Sequence, residues 1–240
     1  MSTALSVISG LAAAGLAAGG CAYAALWPGS QIFGSTLIAP RKPGEIALTF
    51  DDGPNPAWTP RLLELLDQHS VKATFFLVGK YASEESVLTR FIANNGHTIG
   101  NHSWSHPNLA LTPLPKVREE LKNTKDALEQ IIGKPVRHFR PPFGARRPAV
   151  LRAARELELV PVMWNTMTTD WSEPSPDRIA RTLSAQVEQL QARGFAANIV
   201  LHDGGHLDPK ANREPSVTAA GKLLERFAAT RKFVTIDAWS

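Results

Sequence analysis

A single cysteine, Cys21, occurs in the 240-residue chain, which excludes an intrachain disulfide and leaves any extracytoplasmic location to be supported by other features. No acidic or basic residue precedes Arg41. Nor is there a long run of one sign: 26 Lys and Arg against 22 Asp and Glu leave a net charge of +4, which gives nucleic-acid binding no support. The chain has no internal repeat, and no low-complexity tract beyond its N-terminal segment. It also lacks a glycine-rich phosphate cradle and a second metal-ligating cluster, which argues against a phosphatase. What is present, 43% hydrophobic and 20% charged residues, excludes disorder and a coiled coil and supports a sizeable core. The length suits one large domain, since domains average about 150 residues and barrels commonly exceed that.

From Ala4 to Trp27 the uncharged region is apolar and rich in Ala, Gly and Leu. At about 1.5 Å per helical residue it can cross the roughly 30 Å hydrocarbon core. It reads as a single-pass membrane helix, with residues 1–40 as anchor and linker and 41–240 as the folded domain. Two other readings stay open: a cleaved signal peptide, with Ala22-Tyr23-Ala24 as a small-x-small site but no basic n-region, and a plain buried helix. Arg41 and Lys42 are the nearest basic residues, and the positive-inside tendency then favours a cytoplasmic domain. Gly15 and Gly19 form a GxxxG pair that chance explains equally in so Gly- and Ala-rich a stretch.

After Pro40 to Gly44, short apolar runs alternate with longer helical patterns to the C-terminus, the signature of an α/β fold. Strands are expected over Glu45–Phe50, Ala73–Val78, Thr98–Asn101, His138–Arg140, Leu159–Trp164, Ile199–His202 and Phe233–Ile236. Helices are expected over Pro60–His69, Ser83–Asn95, Pro115–Ile132, Pro148–Leu157, Asp177–Arg193 and Val217–Thr230. Thr59 before Pro60 reads as an N-cap, and Gly96, Gly133 and Gly194 as C-terminal caps. Such a series suits either an open doubly wound sheet or a small barrel.

Ionisable residues collect where these strands end: Asp51 and Asp52 after the first, His102 after the third, Arg140 at the fourth, Asp170 after the fifth and His202 at the sixth. In a β/α barrel all strand carboxyl ends share one rim, and convergence from this many strands favours the barrel. Asp51 and Asp52 on an extended chain point in different directions, so one can bind a metal while the other faces a reacting water; the same Asp-Asp-Gly-Pro run is equally a solvated turn. His102 and His106, at i and i+4, share one face of a helical turn as chelation requires, though such pairs also arise by chance. With Asp52 they make a two-His, one-carboxylate set whose open positions suit a catalytic site rather than a closed structural one. His69, His97 and His138 read as structural, His206 after Gly204-Gly205 as a loop residue with a substrate contact as the other reading, and Arg118 to Lys122 as a solvated helix face.

In this order, Thr49-Phe50-Asp51-Asp52-Gly53-Pro54, His102-Ser103-Trp104-Ser105-His106, Arg140-Pro141-Pro142-Phe143-Gly144, Asp170-Trp171 and Leu201-His202-Asp203 resemble the motifs of the polysaccharide deacetylase family. This NodB-homology group includes chitin and peptidoglycan deacetylases, and the likeness runs through nearly all of Glu45 to Ile236. The resemblance implies a distorted (β/α)7 barrel, here preceded by the N-terminal hydrophobic helix, and metal-dependent removal of N-acetyl groups from amino sugars, usually with Zn²⁺. It implies that Asp52, His102 and His106 hold the metal, that Asp51 is the general base and that Arg140 orients it. The backbone N–H near Phe143 would stabilise the oxyanion, and His202, kept protonated by a carboxylate such as Asp170, would protonate the departing amine. Trp171 and Leu201 would line a small pocket for the acyl methyl, with core packing as the other reading.

Three positions depart from the family pattern: Met167 stands where a second acid often precedes the Asp-Trp pair, Val200-Leu201-His202 where Leu-x-His is common, and Phe143 where Tyr is common. The implied partners are an N-acetylated glycan and, through the N-terminal helix, a membrane, with no nucleic acid and no protein partner. That substrate class favours an extracytoplasmic domain, against Arg41 and Lys42. The alternatives are a deacylase of a lipid-linked amino sugar and a degenerate, membrane-tethered glycan-binding protein. The latter should lack a ligand or an acid–base group, and none is missing.

Overall fold

The computed structural model describes residues 19–240. Of the apolar stretch Ala4–Trp27 only the end is therefore seen, as helix α1 over residues 19–26; the rest of the expected membrane helix lies outside the described residues. Among the described residues no helix is long and apolar enough to cross a membrane.

The strands are β1 (Glu45–Asp51), β2 (Thr74–Leu77), β3 (Thr98–Asn101), β4 (His138–Phe139), β5 (Val160–Pro161), β6 (Thr166–Met167), β7 (Ala197–His202) and β8 (Lys232–Phe233). All pairings are parallel, in the order β5-β4-β3-β2-β1-β7-β6, with β8 on the first residues of β1. Beyond its first residue β1 is buried throughout, as expected of a parallel strand covered on both faces. Ile46, Leu48 and Phe50 belong to the main core beneath the helices, whereas Ala47 joins Phe76 and Val162 in a separate interior cluster. The same alternation runs along β7: Ala197, Ile199 and Leu201 enter the main core, while Val200 packs with Met163 and Trp164.

The helices are α2 (Thr59–Gln68), α3 (Gly79–Glu84), α4 (Ser86–Asn94), α5 (Leu114–Ile132), α6 (Pro148–Glu156), α7 (Pro176–Ala192) and α8 (Glu214–Phe227). On α5, Val117, Leu121, Thr124 and Leu128 are buried at the i, i+4, i+7, i+11 spacing of one helical face. Gly96, Gly133 and Gly194 all take the left-handed backbone that ends a helix. Thr59, in contrast, lies inside α2, and its hydroxyl accepts from Asn55 N and contacts the Asp203 carboxylate, so Trp58 occupies the cap position without a side-chain cap bond. The helix expected over Ser83–Asn95 is two helices that meet at Glu85, where the backbone leaves the helical region.

The parallel α/β sheet agrees with expectation, but among the described residues its edge strands β5 and β6 are not paired with each other. Thr166–Met167, the strand not foreseen, spans two residues, too few to leave a pattern. The gap is bridged by the chain before β1. Leu37 pairs with Val162, donating to Pro161 O at 2.8 Å and accepting from Met163 N at 2.8 Å. Asn198 Nδ2 donates to Ile38 O and Met163 O, both at 2.8 Å, and Ala196 N to Pro40 O at 2.9 Å. Nearby, the fully buried Arg146 has no acidic partner among the described residues; its guanidinium donates to the carbonyls of Trp27, Ser30 and Gly144 at 2.7 to 3.0 Å, and to Ala25 O at 3.4 Å. The charge is neutralised by convergent backbone dipoles, which pin residues 25–30 to the loop after β4.

Candidate active site

Parallel pairing brings the strand carboxyl ends to one rim, and Asp51 and His202 are direct register partners across β1 and β7. A cavity of about 400 Å³ opens there, lined by Asp51, Asp52, His102, His106 and His202, with Phe143, Trp164, Met167, Trp171, Val200, His206 and Arg213 around them. Asp51, Asp52, His102 and His106 are buried.

One oxygen of Asp52, Oδ1, stands 3.4 Å from His102 Nε2 and 3.1 Å from His106 Nε2, yet accepts no hydrogen bond of acceptable geometry. His102 Nδ1 contacts the Arg140 carbonyl at 2.8 Å, and because a carbonyl only accepts, Nδ1 carries a proton and Nε2 is the nitrogen turned toward Asp52. Burial pushes His106 below its ordinary value, beyond what Asp52 restores, which favours the neutral imidazole. Burial alone would raise Asp52, but His102, His106 and His206 hold its carboxyl well below the usual carboxylate range. A carboxylate and imidazole nitrogens converging within 4.8 Å are a donor set that fits a divalent cation.

The loop that carries the two histidines is not the helical turn expected from their spacing: Ser103 and His106 adopt left-handed backbone, and the imidazole centroids come within 4.9 Å through a turn. Asn101 shapes its start, donating to Leu121 O at 2.8 Å and accepting from Ser103 N at 2.9 Å. Glu120 holds its middle, accepting from Trp104 N, Ser105 N and Ser105 Oγ at 2.8 to 2.9 Å. Glu120 is buried, which corrects the reading of Arg118 to Lys122 as wholly solvated. Charge periodicity along α5 carries no sign that one of its acids turns inward.

Arg140 is fully buried and donates from NH1 to Thr49 Oγ and Asp51 Oδ1, both at 2.7 Å, with its guanidinium over the Phe76 ring at 4.1 Å. Asp170 accepts from His202 N at 2.8 Å and Ser216 Oγ at 2.7 Å on one oxygen, and meets His202 Nδ1 at 2.9 Å with the other. Burial would lower His202, but Asp170 outweighs it and raises the imidazole to about 9. Met167, at the position often acidic in the family pattern, accepts from Trp164 Nε1 through sulfur at 2.9 Å, and the Asp170–His202 pair forms without a second acid.

Phe143, half-exposed at φ 59°, sets its ring edge-on to His106 at 4.6 Å. Trp171 stands edge-on to His202 at 5.1 Å on the cavity wall. Leu201 does not line the cavity. Strand alternation turns it into the main core and presents Val200 instead. Two residues given no catalytic role from sequence also line the cavity: His206 stacks on His106, and Arg213 donates to Gly204 O at 2.6 Å. Asp203, pushed up to about 7 by burial, lies outside the lining, against Thr59 and Gly53. Asp203 belongs to the Leu201-His202-Asp203 motif, so the sequence carries a signal for it; His206 has only its nearness to His202.

Residues 39–162 match the family described as polysaccharide deacetylase. The chain belongs to that family. The chain is 35% identical over 198 residues to a peptidoglycan-N-acetylglucosamine deacetylase of Bacillus cereus, covering 82% of this chain and 68% of the relative. It is 35% identical over 175 residues to a chitooligosaccharide deacetylase of Azorhizobium caulinodans, covering 72% and 80%. The solved Bc1960 peptidoglycan N-acetylglucosamine deacetylase superposes with a TM-score of 0.75 at 35% identity, over 85% of this chain and 91% of that one. A CE4 family pseudoenzyme from Bacillus anthracis also superposes with a TM-score of 0.75, at 26% identity over 85% and 68%. Fold alone therefore does not decide activity within the polysaccharide deacetylases; the site side chains do.

Proposed function

We propose that this polysaccharide deacetylase is a carbohydrate N-deacetylase that hydrolyses the N-acetyl amide of amino sugars in a chitin-like or peptidoglycan-like polysaccharide or oligosaccharide. The observation that carries the reading is the joint presence on one rim of the Asp52–His102–His106 donor set, the Arg140-held Asp51 and the Asp170-held His202. A pseudoenzyme reading, prompted by the Bacillus anthracis likeness, would need one of these groups to be missing.

Asp52, His102 and His106 would hold a divalent metal, which we take to be Zn²⁺; when bound it supplies Lewis acidity that polarises the amide carbonyl and acidifies water. Arg140 occupies Oδ1 of Asp51, which leaves Oδ2 to take the proton of the attacking water as general base. The Phe143 N–H serves as an oxyanion donor, a role that needs no side-chain hydroxyl and so is compatible with Phe in place of Tyr. His202 holds a proton on Nε2, since Nδ1 faces Asp170, and delivers it to the departing amine. Trp171, with Val200, Trp164 and Met167, forms an apolar wall for the acetyl methyl.

We further place the enzyme at a membrane through the apolar residues before α1, with residues 1–40 as anchor and linker, 41–240 as the catalytic domain, and the domain on the extracytoplasmic side where such glycans occur. We read the sheet as a distorted (β/α)7 barrel with Leu37–Ile38 at its closure. A lipid-linked amino sugar is the second substrate reading, favoured by the attachment of residues 25–30, through Arg146, to the loop beside the cavity.

The test is acetate release by the Zn²⁺-loaded full-length protein from chito-oligosaccharides, peptidoglycan and a detergent-dispersed lipid-linked N-acetyl sugar, with Asp51→Asn and His202→Ala controls. Turnover lost in both variants is the expected result. Stoichiometric metal with no acetate from any of the three substrates would defeat the hydrolase reading, and turnover of the lipid-linked sugar alone would select the second.

A further inference from the structure

His206 lies in the β7–α8 loop, outside every motif of the family pattern, yet the fold is built to hold it in place. A Cβ on Gly204 would lie 2.2 Å from the Asp52 carbonyl oxygen, so only glycine lets the loop backbone rest on the backbone of Asp52. A Cβ on Gly205 would meet Asp208 O at 2.8 Å. The far side of the loop is tied down: Tyr81 donates its hydroxyl to His206 O at 2.7 Å, and Arg213 Nε donates to Gly204 O at 2.6 Å. The His206 ring then stacks on His106 with centroids 4.6 Å apart at 25°, and meets the Phe143 ring edge-on at 5.3 Å. This places Nδ1 of His206 facing Oδ2 of Asp52 at 3.7 Å, a packed approach longer than a hydrogen bond, while Oδ1 of the same carboxylate faces His102 and His106.

The two oxygens of Asp52 thus face different neighbours. A ligating carboxylate free to swing about its terminal torsion offers either oxygen, or neither, to the cation. Groups behind the ligands that fix such rotations typically change metal affinity by about 10–100-fold.

We propose that His206 is a positioning residue for the metal centre: fixed against His106 and Phe143 with its Nδ1 facing Oδ2 of Asp52, it confines the carboxylate so that Oδ1 remains directed between His102 and His106. The inference rests on the reading of Asp52, His102 and His106 as metal ligands. His206 itself is not a ligand in this arrangement, because its nitrogen addresses the oxygen turned away from the other two histidines.

The test measures metal affinity rather than turnover. Apo full-length protein, His206→Ala and His206→Asn are titrated with Zn²⁺ against a chromophoric chelator, and with Co²⁺ for the visible spectrum of the coordination sphere. Circular dichroism confirms that each apo protein is folded. Asn places an amide donor near the position of Nδ1. The expected result is a Zn²⁺ dissociation constant about 10–100-fold weaker in His206→Ala, recovery of most of that loss in His206→Asn, and Co²⁺ spectra of the same intensity in all three. Equal affinities in the three proteins would overturn the proposal, as would a raised KM with unchanged affinity, which would make His206 a glycan contact. A Co²⁺ spectrum altered in His206→Ala would also overturn it, by showing a lost nitrogen ligand. If the unmodified protein binds no metal, the ligand assignment itself fails, a result distinct from all of these.

Discussion

At the level of single residues, the site rests on charges buried with one specific partner each. Arg140 has no exposed surface, and Asp51 is its carboxylate partner. Replacing one member of such a pair leaves the other buried and uncompensated, so Arg140→Met is expected to cost about 3–5 kcal/mol, read as a shifted urea midpoint. His202 gives a signed pH dependence. Its imidazole ordinarily titrates near 6.5 and is raised to about 9 in the fold, so the Asp170 contact stabilises the protein fully below about 6.5 and the gain disappears as pH rises through 9. The effect is on the order of 3 kcal/mol. Melting temperatures of metal-free Asp170→Asn should therefore fall well below those of the unmodified protein at pH 6 and approach them at pH 10. The alkaline limb of its residual deacetylation should move to lower pH. Both pairs were legible in the sequence because each member sits in an ordered motif. Leu201, expected from the resemblance at the acyl pocket or else in the core, takes the core position because neighbours on a strand face opposite ways and His202 is the one turned to the rim.

At the level of elements, the loops around the candidate metal site cost the chain backbone strain. Asp52, Ser103, His106 and Phe143 are all non-glycine residues at φ between 58° and 69°, each worth roughly 1–2 kcal/mol of unfavourable conformation. The loop after β3, which carries Ser103 and His106, persists because its amides are tied to groups on other elements, and Glu120 of α5 carries most of those ties. Glu120→Gln keeps the volume but offers one acceptor oxygen in place of two. A loss of about 1.5–3 kcal/mol in chemical denaturation is expected, together with weaker Zn²⁺ binding by the loop it supports. Unchanged Zn²⁺ affinity in that variant would show that the loop holds its shape without Glu120. The histidine pair was visible in the sequence, but its turn was not, because i, i+4 spacing is equally served by a helix and by a left-handed bend fixed from a distance. Strands and helices with strong periodicity appeared where expected; β6 and the break at Glu85 involve too few residues to alter a pattern.

For the whole molecule, the boundary between linker and domain is crossed by structural hydrogen bonds. Leu37, Ile38 and Pro40 bond to β5 and β7 residues, and Arg146 takes its acceptors from Trp27 and Ser30. A chain beginning at Arg41 should thus melt at a markedly lower temperature than one beginning at Gly19, since each buried donor left unsatisfied costs about 1–3 kcal/mol. Arg146→Met should recover part of that loss in the shorter chain and destabilise the longer one; equal melting of the two lengths would refute the structural role of residues 19–40. Composition showed these residues only as uncharged and apolar, because a bridge made through backbone groups leaves no side-chain signature. The bridge also orders events in time. Ile38 and its partner Asn198 are separated by 160 residues, so the first part of the described chain to leave the ribosome must wait for nearly all the rest before it finds its place. Until β7 is in place that bridge cannot form, and the unpaired edges of β5 and β6 are open to other chains.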